Sequence, residues 1–77
     1  MEYVIVKFNS RREILVDGNS QGYTADESGN QNVIQLEEGT FDFSLEGEKN
    51  FSPLSQEIYV SETNQFEPLE IVFTLND

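Results

Sequence analysis

The chain has 77 residues, of which 36% are hydrophobic, with six Phe, three Tyr and no Cys. This length allows one folded domain, residues 1–77, with a thin core and no disulfide or thiolate metal site to reinforce it. Fifteen Asp and Glu against four Lys and Arg, without His, give a net charge of −11. Nucleic acids and anionic membrane surfaces are therefore poor partners, because both are bound mainly through Lys and Arg.

The amino-terminal segment begins Met1-Glu2 and lacks the basic start and long apolar run of a secretory signal. No segment approaches the roughly 20 apolar residues of a membrane span. We expect a soluble monomer without membrane insertion, cytoplasmic if the chain is complete. A piece cut from a larger exported protein is also compatible with the sequence.

Alternation with a period of two begins at once and predicts β-strands. The first strand places Val4, Val6 and Phe8 on one face and Tyr3, Ile5 and Lys7 on the other. The second runs from Glu13 to Val16 and ends at Asp17-Gly18, a strong turn signal. Residues 18–32 are rich in Gly, Ser, Asn and Gln, which predicts a loop with one short edge strand at Tyr23-Thr24.

The clearest unit is a predicted hairpin in residues 33–47. If Glu38-Gly39 is its turn, Leu36 lies opposite Phe41 and Ile34 opposite Phe43. The apolar residues of both strands then share one side. Residues 46–55 are predicted to be a connection.

Two further strands complete the prediction. One carries Ile58 and Val60 on one face, and the last carries Leu69, Ile71, Phe73 and Leu75. Strands separated by turn signals, without helical periodicity, predict an all-β fold. We expect a small two-layer β-sandwich of about six to seven mainly antiparallel strands.

Several short motifs share the order and spacing of a known family: Val4-x-Val6, Ile14-x-Val16-Asp17-Gly18, Gly22-x-Thr24, Leu36-x-x-Gly39-x-Phe41-x-Phe43 and Asn50-Phe51-Ser52-Pro53. Over nearly the whole chain they resemble the PEGA domain, a small β-sandwich module found mostly in bacterial and archaeal multidomain and surface proteins. Where the family's Pro-Glu-Gly-Ala tetrapeptide would fall, this chain has Asn9-Ser10-Arg11-Arg12. The resemblance implies a scaffold or interaction module and transfers no catalytic residues.

Catalytic side chains are scarce. Nucleophilic triads use His as the usual base, and this chain has neither His nor Cys. Fifteen acidic residues guarantee some carboxylate pair at glycosidase spacing, so such a pair is uninformative. We predict no enzymatic activity and no cofactor.

Four residues are candidates for ligand contacts. Arg11 and Arg12 carry half of the positive charge and could anchor an acidic ligand group, or offset nearby carboxylates. Tyr23 and Tyr59 lie off the main apolar alternation. Their rings could stack on a sugar or a protein partner, or pack under a loop.

The loop at Asp26 invites a calcium interpretation, since Asp26, Ser28, Asn30 and Glu37 fall at ligand positions of an EF-hand loop. Gln31 stands where that loop requires Gly, and neither flank has helical periodicity. The sequence favours an exposed polar loop and no metal site.

Two functional hypotheses follow. The first is a non-catalytic interaction or scaffold module with a protein partner. The second is a carbohydrate-binding module that uses exposed Tyr and the loop from Gly18 to Asn32.

Overall fold

The structure is a computed structural model that describes residues 1–76. The strands in this range are β1 (Glu2–Lys7), β2 (Glu13–Val16), β3 (Asn19–Tyr23), β4 (Ile34–Leu36), β5 (Gly39–Leu45), β6 (Phe51–Ser52), β7 (Gln56–Val60), β8 (Leu69–Val72) and β9 (Thr74–Leu75). Across this range no helix is long and apolar enough to cross a membrane.

The strands form two larger sheets and one small one. The three-stranded sheet has the order β4-β1-β8, the four-stranded sheet has the order β3-β2-β5-β7, and β6 pairs with β9. All pairings are antiparallel except β1 with β8. The predicted all-β fold with mainly antiparallel strands is confirmed. The strands number nine instead of six to seven within the described range, because short strands escape a periodicity argument.

Both larger sheets contribute to one core. The three-stranded sheet supplies Val4, Val6, Ile34, Leu36 and Ile71, and the four-stranded sheet supplies Ile14, Val16, Phe43, Leu45 and Val60. The sheet edges also meet. A Cβ on Gly22 of β3 would lie 3.9 Å from Cγ2 of Ile34 in β4, and Gln56 Nε2 in β7 donates to the carbonyl oxygen of Val72 in β8 at 2.8 Å. The layers are therefore joined along both sides of the core.

The turn at Asp17-Gly18 is confirmed. Both residues have positive φ, 51° and 82°, as the tight hairpin between β2 and β3 requires. The turn also docks on β5, since the backbone N–H of Asp17 donates to the carbonyl of Asp42 and the N–H of Asp42 donates back to Asp17 Oδ1. These bonds fix the hairpin against the centre of the four-stranded sheet.

The predicted hairpin of residues 33–47 is wrong in its pairing. Leu36 does not lie opposite Phe41, nor Ile34 opposite Phe43, because β4 pairs with β1 while β5 pairs with β2 and β7. The chain crosses from one sheet to the other at Glu37-Glu38. Alternation correctly places Ile34, Leu36 and Phe43 in the core. It is satisfied equally by strands side by side in one sheet and by strands facing each other across the sandwich.

The segment predicted as loop from residue 18 to 32 contains a longer strand than expected. The edge strand β3 begins at Asn19 and ends at Tyr23, so Thr24 lies outside it. The buried hydroxyl of Thr24 donates to the carbonyl of Ser10 and accepts from the N–H of Arg12. These side-chain bonds hold the chain in a bend where the strand ends.

The last predicted strand is divided in two. Phe73 separates β8, which pairs with β1, from β9, which pairs with β6. Its ring lies edge-to-face with Phe51, with centroids 5.6 Å apart. The strand β6 falls inside the predicted connection of residues 46–55, because two residues are too few to show an alternation.

Candidate functional site

The part of the chain that the structure describes encloses no pocket, and its most distinctive surface is the outer face of the four-stranded sheet. Residues that alternate with the buried ones point away from the core. We define the acidic face by six of these outward-facing residues: Glu13, Tyr23, Thr40, Asp42, Glu57 and Tyr59. Three of the six are carboxylates and two are tyrosines, on an open surface without a cleft.

Two carboxylates lie directly opposite each other on the β5–β7 side of this face. Asp42 in β5 is the register partner of Glu57 in β7, and both side chains are exposed. Like charges directly opposite each other on one sheet face are destabilising. Neither carboxylate has an ion-pair partner among residues 1–76, where the single ion pair joins Lys7 and Glu70 on the other sheet. The repulsion is therefore not offset by a cation of the described chain.

Tyr59 lies beside this pair at the edge of the sheet and is 59% exposed. Its hydroxyl donates a hydrogen bond to Glu38 Oε2 at 2.8 Å. That bond, together with the negative charge of Glu38, raises the pKa of Tyr59 above its ordinary value of 10.0. The hydrogen bond to Glu38 holds the hydroxyl in place, while the ring is open to solvent.

Arg11 and Tyr23 form a stacked pair at the opposite edge. The guanidinium carbon of Arg11 lies 3.9 Å from the centroid of the Tyr23 ring, within the range of a cation–π contact. Tyr23 is 38% exposed. The structure thus brings two of the four predicted ligand residues together, while the third, Tyr59, lies three strands away and about six residues further along the sheet, roughly 25 Å from Tyr23.

Arg12 is a structural residue. Its Nη1 donates to the carbonyl oxygens of Glu46 and Glu48, and its Nη2 donates to Asn50 Oδ1. The guanidinium carbon also lies 5.3 Å from the centroid of the Phe8 ring. These contacts hold the connection that follows β5, so this guanidinium is already engaged. The hydrogen bonds end on carbonyl and amide oxygens, not on the carboxylates that the sequence analysis considered.

The Asp26 loop is organised by its own backbone. Asp26 Oδ1 accepts hydrogen bonds from the N–H groups of Ser28 and Asn30 at 2.8 and 2.9 Å. These bonds, that of Asn30 first, lower the pKa of the Asp26 carboxyl. Among residues 1–76 no group of three or more acidic, His or Cys side chains lies close enough to hold a metal ion.

Sequence analysis did not single out Thr40, Asp42 or Glu57, and it considered Glu38 only as a turn residue. Alternation places Asp42 between two core phenylalanines and Glu57 next to Ile58, which is enough to point both carboxylates outward. Their opposition depends on the pairing of β5 with β7, a register that single-strand patterns do not contain. The sequence therefore shows that each carboxylate points outward, but it does not show that the two lie opposite each other.

The chain was compared with protein-family models, with curated proteins and with solved structures, and none of these comparisons gives a match. The resemblance to PEGA domains therefore stays a prediction from the sequence.

Proposed function

We propose that this domain is a non-catalytic interaction module that binds another protein on its acidic face. The observation that carries the proposal is the Asp42–Glu57 opposition, which is exposed, uncompensated within residues 1–76 and next to the exposed ring of Tyr59 on the same strand. Tyrosines are enriched at protein interfaces because they offer a large apolar area with a polar tip. A scaffold role of this kind is also what the resemblance to PEGA domains implies.

The electrostatics of the face support a partner that brings positive charge. In the free domain, Asp42 and Glu57 repel each other across the strand pair. A cation placed between them removes this repulsion and adds attraction, so binding gains from both effects. The net charge of −11 also attracts a basic surface from a distance, which raises the rate of association.

The alternative of a carbohydrate-binding module receives less support. It needs exposed tyrosines acting together with the loop from Gly18 to Asn32. Tyr23, which borders that loop, is covered on one ring face by Arg11. Tyr59 has an open ring, but it lies on β7 at the far edge of the sheet from β3. The elements that this hypothesis combines are therefore separated.

A random-peptide display library panned against the folded domain tests the proposal. We expect the recovered peptides to bind the double variant Asp42→Asn/Glu57→Gln at least about tenfold more weakly, because each lost charge pair at an interface costs a measurable share of affinity. Glu27→Gln/Glu67→Gln is the matched control, since it removes the same charge from exposed turns.

Equal weakening by both double variants would show that net charge alone drives binding. Peptides unaffected by Asp42→Asn/Glu57→Gln would place the binding surface elsewhere and contradict the proposal. A glycan array supplies the arm for the alternative, where sugar binding abolished by Tyr59→Ala would favour the carbohydrate hypothesis.

A further inference from the structure

The acidic face holds two cation-accepting positions in line along one strand. Tyr59 and Glu57 are two residues apart on β7 and point the same way, which separates them by about 6.8 Å. At the first position the open ring of Tyr59 lies beside the carboxylate of Glu38. At the second, Glu57 faces Asp42 across the strand pair. Along β7, a tyrosine ring with one neighbouring carboxylate thus lies next to a pair of opposed carboxylates.

The same sheet already displays the contact that would fill the first position. At its other edge Arg11 lies over the ring of Tyr23 at 3.9 Å, while Tyr59 has no such cation among the described residues. A guanidinium is planar, so it can stack on a tyrosine ring and still direct N–H groups at a carboxylate. An ammonium group lacks this geometry. The Tyr59 position is therefore better suited to arginine than to lysine.

The second position favours arginine for a related reason. A guanidinium presents five N–H donors in a fixed fork, so one group can donate to the carboxylates of both Asp42 and Glu57. In an extended peptide, side chains two residues apart point the same way and are separated by about 6.8 Å. This spacing equals that between Tyr59 and Glu57 on β7.

We propose that the occupant of the acidic face is an extended polypeptide segment with the pattern Arg-x-Arg, lying along β7. One guanidinium stacks on Tyr59 against Glu38, and the other bridges Asp42 and Glu57. The inference rests on the proposed function, since it names the partner chemistry of the same face. It adds a spacing and a residue preference that a general attraction between charges does not require.

Three synthetic peptides test the pattern by NMR titration of the full chain. The probe is Gly-Ser-Arg-Ser-Arg-Ser-Gly, the composition-matched isomer is Gly-Ser-Arg-Arg-Ser-Ser-Gly, and the third peptide replaces both arginines of the probe by lysine. We expect the probe to bind about two to five times more tightly than either of the others, the range of one exposed cation–π contact. Its affinity should fall between about 20 and 200 mM NaCl, as for exposed charge pairs.

The variants Tyr59→Leu and Tyr59→Phe separate stacking from simple charge. Tyr59→Leu should remove the preference for arginine over lysine, whereas Tyr59→Phe should keep it because the ring is retained. Tyr59 is exposed, so the circular dichroism spectra of both variants should match that of the unchanged chain. Loss of the preference in both variants would contradict a stacked guanidinium.

The two proposals fail in different ways. If the three peptides bind equally and Asp42→Asn/Glu57→Gln weakens them all, the acidic face binds basic segments without the Arg-x-Arg pattern, and only this inference is overturned. If Asp42→Asn/Glu57→Gln weakens none of them, or none binds, the inference is overturned together with the basic-partner part of the proposed function. A probe preference lost in Tyr59→Leu and retained in Glu27→Gln/Glu67→Gln supports both.

Discussion

The outer faces of the two larger sheets differ in whether their acidic side chains are paired with a cation. On the three-stranded sheet, Lys7 forms an ion pair with Glu70 at 3.0 Å beside the exposed Val72, and we call this surface the neutral face. On the acidic face, Asp42 and Glu57 oppose each other without a cation from the described chain.

The difference indicates that the net charge of −11 is not spread evenly over the surface. A cross-strand cation compensates the acid on the neutral face, whereas Asp42 and Glu57 on the acidic face have no ion-pair partner among residues 1–76. The neutral face needs no partner to balance its charges. A cation from a partner therefore interacts most favourably with the acidic face.

The largest expected effect comes from the core beneath the acidic face. Phe43 is fully buried in β5, next to the outward-facing Asp42. We expect Phe43→Ala to lower the free energy of unfolding by about 3–5 kcal/mol, because truncation removes packed area and leaves a cavity. Thermal denaturation measures this loss. Ser44→Ala, on the outer side of the same strand, is the control and should change little; a folded Phe43→Ala variant with the melting temperature of the parent would contradict the core assignment.

A smaller effect separates the two faces directly. Asp42→Asn should raise the melting temperature slightly at low salt, because it removes a like-charge contact. Glu70→Gln should lower it slightly, because it breaks the ion pair with Lys7. Both changes should be under about 1 kcal/mol, as for exposed charges generally, and should shrink in high salt. Melting-temperature shifts in the same direction for both variants would contradict the proposed difference in charge compensation between the two faces.

The smallest effect concerns a carboxylate that does have donors. Glu2 Oε1 accepts hydrogen bonds from the hydroxyl and the N–H of Thr63, and these lower the pKa of Glu2 below 4.5. Because the folded pKa is depressed, this stabilisation is present above pH 4.5 and is lost as pH falls through the folded pKa. Urea midpoints of the parent and Glu2→Gln should therefore converge as the solution is acidified below that value. A constant difference across that window would show that ionised Glu2 gains nothing from Thr63.

Sequence patterns predicted the core well and the sheets poorly. Val4, Val6, Ile14 and Val16 are buried as their alternation requires. Alternation states which side of a strand faces inward, but not which strand lies next to it. The pairing of β4 with β1 and of β5 with β7 was therefore out of reach, and with it the Asp42–Glu57 opposition.

The candidate ligand residues show the same difference between what a local pattern indicates and what the fold determines. The places of Tyr23 and Tyr59 off the main alternation left exposure and packing under a loop both open, and the structure shows both side chains exposed. Arg12 could not be assigned in the same way, because its partners are carbonyl oxygens more than 30 residues later in the chain. Such long-range contacts are created by the fold and leave no local mark in the sequence.

The parallel pairing of β1 with β8 has a mechanical consequence. Because both strands run in the same direction, with Val4 beside Leu69 and Lys7 beside Val72, residues 1 and 76 lie toward opposite ends of the strand pair. Tension applied through these two residues passes first through the short β9, which pairs with β6, and then loads the β1–β8 hydrogen bonds in shear, so that these bonds share the force. A domain held between two anchors in this way resists stretching along its strands far better than a hairpin, whose bonds open one at a time.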